Sequence, residues 1–366
     1  NRMSASPSNV PSSTKEPSRH GSGFRSLLPG GRPGLVLAPM QEVTDLPFWT
    51  VIYPHGGPDI YFTEYFRVHV NSKPERHILK ALDENPTGRP AIAQMIGQDI
   101  PHLVRTAREL QKHPIAGIDL NLGCPAPIVC RKDAGGGLLR NPDRIDAILR
   151  ALRDAIDVPF TVKTRVGYYC HTEFDRLLEV FARHPIDALT IHGRTVKEKY
   201  KSPIHYAEIR KAVDALSCPV VANGNIVSVR MADKTLAETG AAALMIGRGA
   251  IRNPWIFAQC RAAADPEQVR PTPSLRDLLS YIRSLHTATR AEDPTATDLQ
   301  HTTMMKRYMN FIATGLSEGE ALLNGIRRAT GSREFFELCE EHLDNDAPMP
   351  DEPPVTSAVF AGLAEQ

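Results

Sequence analysis

Residues 117–137 read GIDLNLGCPAPIVCRKDAGGG. The apolar run 117–120 predicts a buried strand that stops at Asn121, and Cys124 follows in a loop closing on Gly135, Gly136 and Gly137. A thiol just past a strand end, on a loop able to open and close, is placed to give or take a proton. Taken alone it reads as readily as a small residue filling a loop core. The rest of the chain decides between the two. Similar runs stand at 35–38 (LVLA), 59–62 (DIYF), 91–95 (AIAQM), 159–163 (PFTVK), 187–191 (DALTI), 219–222 (PVVA) and 243–246 (ALMI). Amphipathic helical patterns lie between most of them, at 101–113, 142–156, 173–184, 204–216 and 228–239. Strands alternating with helices imply parallel βαβ units, because a parallel pair needs a long crossover. Continuous apolar strands imply burial on both faces. Eight of them predict an α/β fold, a (β/α)8 TIM barrel over 34–258. An open doubly wound sheet would be expected to carry GxGxxG after its first strand, and none is there.

Outward from the barrel the composition changes. Residues 1–33 are rich in Ser, Pro, Gly and Arg without apolar period, and are expected to be a disordered tail. Residues 259–272 read as a linker. Helices are expected near 274–292, 296–314, 317–329 and 332–343, a small all-helical unit over 273–345, with capping-box starts at Ser274–Asp277 and Ser317–Glu320. Residues 346–366, rich in Pro and acids, are expected to be a flexible tail. The chain has 366 residues, 42% hydrophobic and 23% charged, with a formal net charge of +1. That is ordinary for a globular protein and lends no bulk-charge support to nucleic-acid binding. No apolar run reaches the ~18 residues of a membrane span, and the start has no signal core. The six cysteines contain no CxxC pair, which argues against zinc or a disulfide framework and for reduced thiols in the cytoplasm. No metal is expected.

In such a barrel, chemistry gathers at the C-terminal strand ends. Read as a ring, these ends offer Pro39, Met40 and Gln41, with Thr44 and Asp45 close behind; Glu64 and Arg67; Gln94; Asn121 and Cys124; Lys163 and Arg165; His192 and Arg194; Asn223, Gly224 and Asn225; and Gly247 and Arg248. Glycines after strands seven and eight let backbone N–H groups approach an anion, and Arg248 adds a charged donor. Lys163 in the barrel mouth is costly unless it has a partner, and could stabilise charge developing on a ligand. Gln94 among apolar neighbours suits the polar edge of a planar ring. His192 could bind phosphate or relay a proton. A planar ligand, a phosphate and a proton donor together point to flavin mononucleotide (FMN), since no side chain in the ring transfers hydride.

The motifs VLAPMQEVTDLPFW, DLNLGCPAP with AGGGLL, VKTRVGY, LTIHGRT, VVANGNI and LMIGRGAIRNPWIF, in this order, resemble the tRNA-dihydrouridine synthases over residues 34–345. The resemblance implies that Pro39, Met40 and Gln41 contact FMN and that Gln94 and Lys163 face its ring edge. It puts His192 near the phosphate and ribityl chain. It makes Asn223, Gly224, Asn225, Gly247 and Arg248 the phosphate cradle. Asn121 and Arg165 would then hold a target uracil, and Cys124 would be the general acid. It implies NADPH (or NADH) as reductant and tRNA as partner, reached by flipping a uridine from its stack. Glu42 departs from the smaller residues of many relatives. The region 272–336 holds eight Lys/Arg against seven acids, so RNA affinity would have to come from Lys306–Arg307, Arg327–Arg328 and Arg131–Lys132. A monomer is expected. The competing readings are an FMN barrel acting on a small molecule, such as a dihydroorotate- or enoate-reductase-like enzyme, and a noncatalytic tRNA-binding protein.

Overall fold

A computed structural model describes residues 23–357, 359 and 360. Eight parallel strands run β1 (Gly34–Leu37), β2 (Tyr61–Arg67), β3 (Ala91–Ile96), β4 (Gly117–Leu122), β5 (Phe160–Arg165), β6 (Ala188–His192), β7 (Val220–Asn223) and β8 (Ala243–Ile246). From β2 to β8 each strand pairs with the next in sequence, and β8 pairs with β1. A parallel bridge between Val36 and Ile60, with the Leu37 N–H donating to the Ile60 carbonyl at 3.0 Å, closes the ring. The expected barrel is therefore present, and nearly every strand residue is buried. Helices cover the outside; Pro142–Ala155, for example, is capped by Asn141 and buries Ile145, Ile148, Leu149 and Leu152 at helical spacing.

The inside is layered. Val36, Phe62, Ile92, Val221, Ala243 and Met245 form an apolar cluster with Phe24, which is 1% exposed. Residues 1–33 were expected to be a disordered tail, of which 1–22 lie outside the described residues. Instead Phe24–Leu27 forms a turn of 3-10 helix whose aromatic ring plugs the barrel's apolar interior. The expected run 59–62 also moves: β2 extends to Arg67 and a register irregularity between Phe62 and Tyr65 interrupts its pairing with β3. Glu64 and Arg67 therefore lie within the strand rather than beyond it. Asn121 and Arg165 likewise sit inside β4 and β5. Helices at Leu46–Ile52 and Arg76–Glu84 were not anticipated; the first is capped by Asp45 and carries Pro47 in its first turn.

After β8 the chain runs through helix Ile256–Ala264, which takes up residues 259–264 of the span read as a linker; its Gln259 is tied to Asn253 at 2.8 Å. Helices Leu275–Glu292, Asp298–Ile312, Gly319–Arg328 and Ser332–Leu343 follow. Ser274 and Asp277 form the expected capping box. The Ser317 box is absent: the helix starts at Gly319 with no side-chain cap. Thr297 and Gln300 form one instead. This unit packs on the β1 side of the barrel mouth. Phe48 stacks on Tyr308 at 6.2 Å, Arg307 pairs with Glu42 at 3.1 Å, and Tyr281 donates to the Ile251 carbonyl at 3.0 Å. Glu42 thus serves the junction between the two units. The expected flexible tail is packed as far as its described residues go: Met349 and Phe360 are buried and Glu352 is ion-paired to Arg230.

Candidate active site

Strand register assembles the site. Gln94, Asp119 and Thr161 are neighbours across β3, β4 and β5; Asn121 pairs with Lys163; Arg165, His192, Asn223 and Met245 form a row across β5 to β8. With a period of two, all of these side chains point into the barrel.

The first group is a directional hydrogen-bond chain. Thr161 Oγ1 donates to Asp119 Oδ1 at 2.6 Å and Gln94 Nε2 donates to Asp119 Oδ2 at 2.8 Å. Asn121 Nδ2 donates to Gln94 Oε1 at 2.9 Å. Asn121 Oδ1 accepts the N–H groups of Gly123 (3.0 Å) and Cys124 (2.9 Å). Asp119 thereby orients Gln94, Gln94 orients Asn121, and Asn121 anchors the loop that carries the thiol. Burial raises the Asp119 carboxyl to about 6, against the pull of Thr161 and Gln94. The sequence reading passed over Asp119 inside its apolar run; a charge in a buried strand was the available signal. Cys124 is half-buried, and Gly136 N–H returns to its carbonyl at 3.0 Å. Cys130 Sγ also lies 3.5 Å from that carbonyl. The Tyr65 phenol, another residue not foreseen, lies beside the Cys124 thiol; burial first, then that thiol, pushes its ionisation up.

The second group is cationic. Lys163 Nζ reaches Asn223 Oδ1 at 3.3 Å, and desolvation, then Arg165, pulls its ammonium down to about 8. Arg165 is buried and donates to the carbonyls of Gly123 (2.8 Å), Thr195 (2.9 Å) and Lys199 (2.8 Å). Arg194 is fully buried, binds Asn225 Oδ1 at 3.2 Å, and desolvation followed by Arg248 lowers it to about 9. Arg248 donates to the same oxygen at 3.0 Å. His192 is held well below its ordinary value by burial and then by Arg165. Tyr200, unforeseen because it lies in a loop without strand pattern, stands 5.3 Å from the Arg165 and 5.1 Å from the Arg248 guanidinium.

These cations converge on a cradle. Gly224 has φ +129°, and a Cβ there would lie 2.5 Å from Ile204 and 3.6 Å from His192 Nε2. A Cβ at Gly247 would press on Met40 Sδ at 3.2 Å. Met40 is fixed by its N–H on Thr44 Oγ1 (2.8 Å), and Gln41 Oε1 accepts from the Tyr65 N–H at 3.2 Å. Pro39 is half-buried just after β1. Two buried side-chain nitrogens, His192 Nδ1 and Arg194 Nη2, have no hydrogen-bond partner among the described residues. A phosphate dianion fits this set: it would offset the crowding of like charges and satisfy groups whose burial is otherwise costly. All the expected site positions thus reach one mouth. The basic pairs divide: Lys306 meets the Arg327 carbonyl at 3.0 Å, bringing those two helices' charges together, whereas Arg307 is spent on Glu42. Among the described residues, no three metal-ligating side chains cluster and no helix is long and apolar enough to cross a membrane.

Fold and site together define a (β/α)8-barrel enzyme with a cationic cradle after β7 and β8 and a cysteine loop anchored by a buried polar chain. The chain belongs to the dihydrouridine synthase family, whose sequence profile matches residues 36–347. It is 37% identical to tRNA-dihydrouridine synthase B of Xanthomonas axonopodis pv. citri (strain 306), over 69% of this chain and 78% of the relative. It is 33% identical to tRNA-dihydrouridine synthase B of Escherichia coli (strain K12), over 69% and 80%. Among solved structures it resembles 2-naphthoyl-CoA reductase in complex with 2-naphthoyl-CoA (TM-score 0.52, 12% identity, 88% of this chain and 69% of that one). It also resembles histamine dehydrogenase from Rhizobium sp. 4-9 (TM-score 0.50, 12% identity, 69% and 48%). These two likenesses concern the fold.

Proposed function

We propose that this protein is a flavin-dependent tRNA-dihydrouridine synthase that reduces the C5=C6 bond of a uridine in tRNA with NADPH. The observation that carries the reading is the junction of the cationic cradle, with its two unpartnered buried nitrogens, to the Thr161–Asp119–Gln94–Asn121 chain that ends at Cys124. Arg248, Arg194, His192 and the glycine turns at 224 and 247 would hold the FMN phosphate, Met40 and Gln41 one side of the mouth, and Gln94 and Lys163 the ring's polar edge. FMN, once reduced by NADPH, supplies a hydride for C6 of the uracil. Asn121 and Arg165 orient the everted base. Cys124 delivers the proton to C5, leaving a thiolate beside the Tyr65 hydroxyl. Positioned proton donation of this kind contributes roughly 10²–10⁴-fold. A helical unit beside the mouth, with Lys306, Arg327 and Arg328 on it, suits a large polyanionic substrate better than a small molecule. The expected cytoplasmic location and single-chain state belong to this reading as well.

The test is reconstitution. Purified protein loaded with FMN, given NADPH and unmodified tRNA, should produce dihydrouridine detectable by mass spectrometry of nuclease digests. Turnover of free uridine at the tRNA rate would favour a small-molecule oxidoreductase. A protein that takes up no flavin would point to noncatalytic RNA binding.

A further inference from the structure

The family match ends at residue 347, but the chain stays on the molecule. Pro348 bridges to Ser274, and the Met349 N–H donates to the Pro273 carbonyl at 2.9 Å. Arg252, fully buried beyond β8, donates to the carbonyls of Pro350 and Asp351, the latter at 3.1 Å. Glu352 accepts from Arg230 Nε and Nη2 at 2.7 and 2.9 Å and from Ser228 Oγ at 2.7 Å. Ser228 caps the helix that follows β7. The path ends with Phe360 buried against Val227 and Met231. There Arg248 Nη1 donates to the Val359 carbonyl, and the Phe360 ring lies 5.7 Å from the same guanidinium.

We propose that residues 348–360 form a strap that fixes Arg248 in its phosphate-binding position, so that Val359 and Phe360 are positioning residues of the cofactor site. The inference rests on the FMN reading given above. An arginine free to rotate loses much rotamer freedom on meeting an anion. Here the loss is taken in folding. Val359 and Asn225 Oδ1 each engage one Nη group, and Tyr200 and Phe360 flank the guanidinium. Preorganised donors bind a charged partner more tightly than mobile ones of the same chemistry. The strap's other anchoring partners, Ser228 and Arg230 for Glu352 and Arg252 for Pro350 and Asp351, lie on the segments after β7 and β8, the same two that build the cradle.

The distinguishing experiment compares FMN with riboflavin, which lacks the phosphate. Flavin fluorescence quenching gives the dissociation constant of each for the flavin-free wild type, for Phe360→Ala, and for a chain ending at Thr356. Both variants should weaken FMN about tenfold, the size expected for impairing one charge-assisted contact, and riboflavin less than about twofold. Unchanged FMN affinity overturns the strap alone. So does an equal loss for both flavins, which would mean general loosening, and so does tighter FMN binding, which would mean that the strap competes with phosphate. A wild type that binds neither flavin overturns the FMN reading and the strap with it.

Discussion

Replacing Asn121 with aspartate reverses one hydrogen bond and, through it, the chain beneath. The new carboxylate would still accept the Gly123 and Cys124 N–H groups, but it has no donor for Gln94 Oε1. The Gln94 amide relieves that clash by turning over, giving Nε2 to the introduced carboxylate and presenting its oxygen to Asp119 in place of the present 2.8 Å donor. An ionised Asp119 cannot tolerate that oxygen at hydrogen-bond distance, whereas a protonated carboxyl can donate to it. Asp119 already titrates at about 6. Holding its proton two units higher, near pH 8, costs about 3 kcal/mol at ~1.4 kcal/mol per unit. The sign follows from proton counting. Above pH 6 the variant's native state binds one proton more than the wild type's, while the unfolded states do not differ at this site, so the variant loses relative stability as pH rises from 6 to 8. Urea unfolding of the flavin-free proteins near pH 5.5 and near pH 8 measures it. Asn121→Asp should fall behind the wild type by about 3 kcal/mol more in base than in acid. A destabilisation equal at both pH values would refute the polarity of the chain.

Cys124→Ala should retain FMN, because the thiol lies outside the cradle, and should lose roughly 10²–10⁴-fold in single-turnover oxidation of the reduced enzyme by tRNA; an unchanged rate removes its role as acid. Phe24→Ala should cost about 3–5 kcal/mol in urea unfolding if the ring plugs the barrel interior, and almost nothing if the segment is a loose tail. Asp45 is held up to about 7, chiefly by burial, so its native form binds a proton more tightly than the unfolded chain and its contribution to stability drains away between about pH 4 and 7. Asp45→Asn keeps an oxygen for the Phe48 N–H and should melt with the wild type near pH 4 but be about 1–2 kcal/mol more stable near pH 8, the partial exposure of Asp45 reducing the full effect. A gain at acid pH instead would reject the assignment.

The barrel was legible because its two periods, continuous apolar strands and amphipathic helices, are local and repeat eight times over. The strand ends followed from it, and so did Cys124, Lys163, His192 and the paired glycine turns, since parallel topology forces those ends to one face. What remained hidden depended on partners distant in sequence. Asp119 looked like part of an apolar run, and its meaning comes from Thr161 and Gln94 across two strand pairings. Tyr200 carries no pattern until Arg165 and Arg248 stand beside it. Glu42 and Arg307 show opposite charge, but only docking of the helical unit makes them a pair. The described parts of the two expected tails, residues 23–33 and 346–357, misled most, because Pro-rich polar segments read as disordered whatever they touch. A single buried ring, Phe24 at one end and Phe360 at the other, suffices to fasten such a segment. Sequence therefore determined the periodic parts and the ring of reactive termini, because backbone geometry repeats. Tertiary structure alone decided the hydrogen-bond directions, the charge pairing and the packing of Phe24 and Phe360, because those depend on which strangers in sequence become neighbours in space.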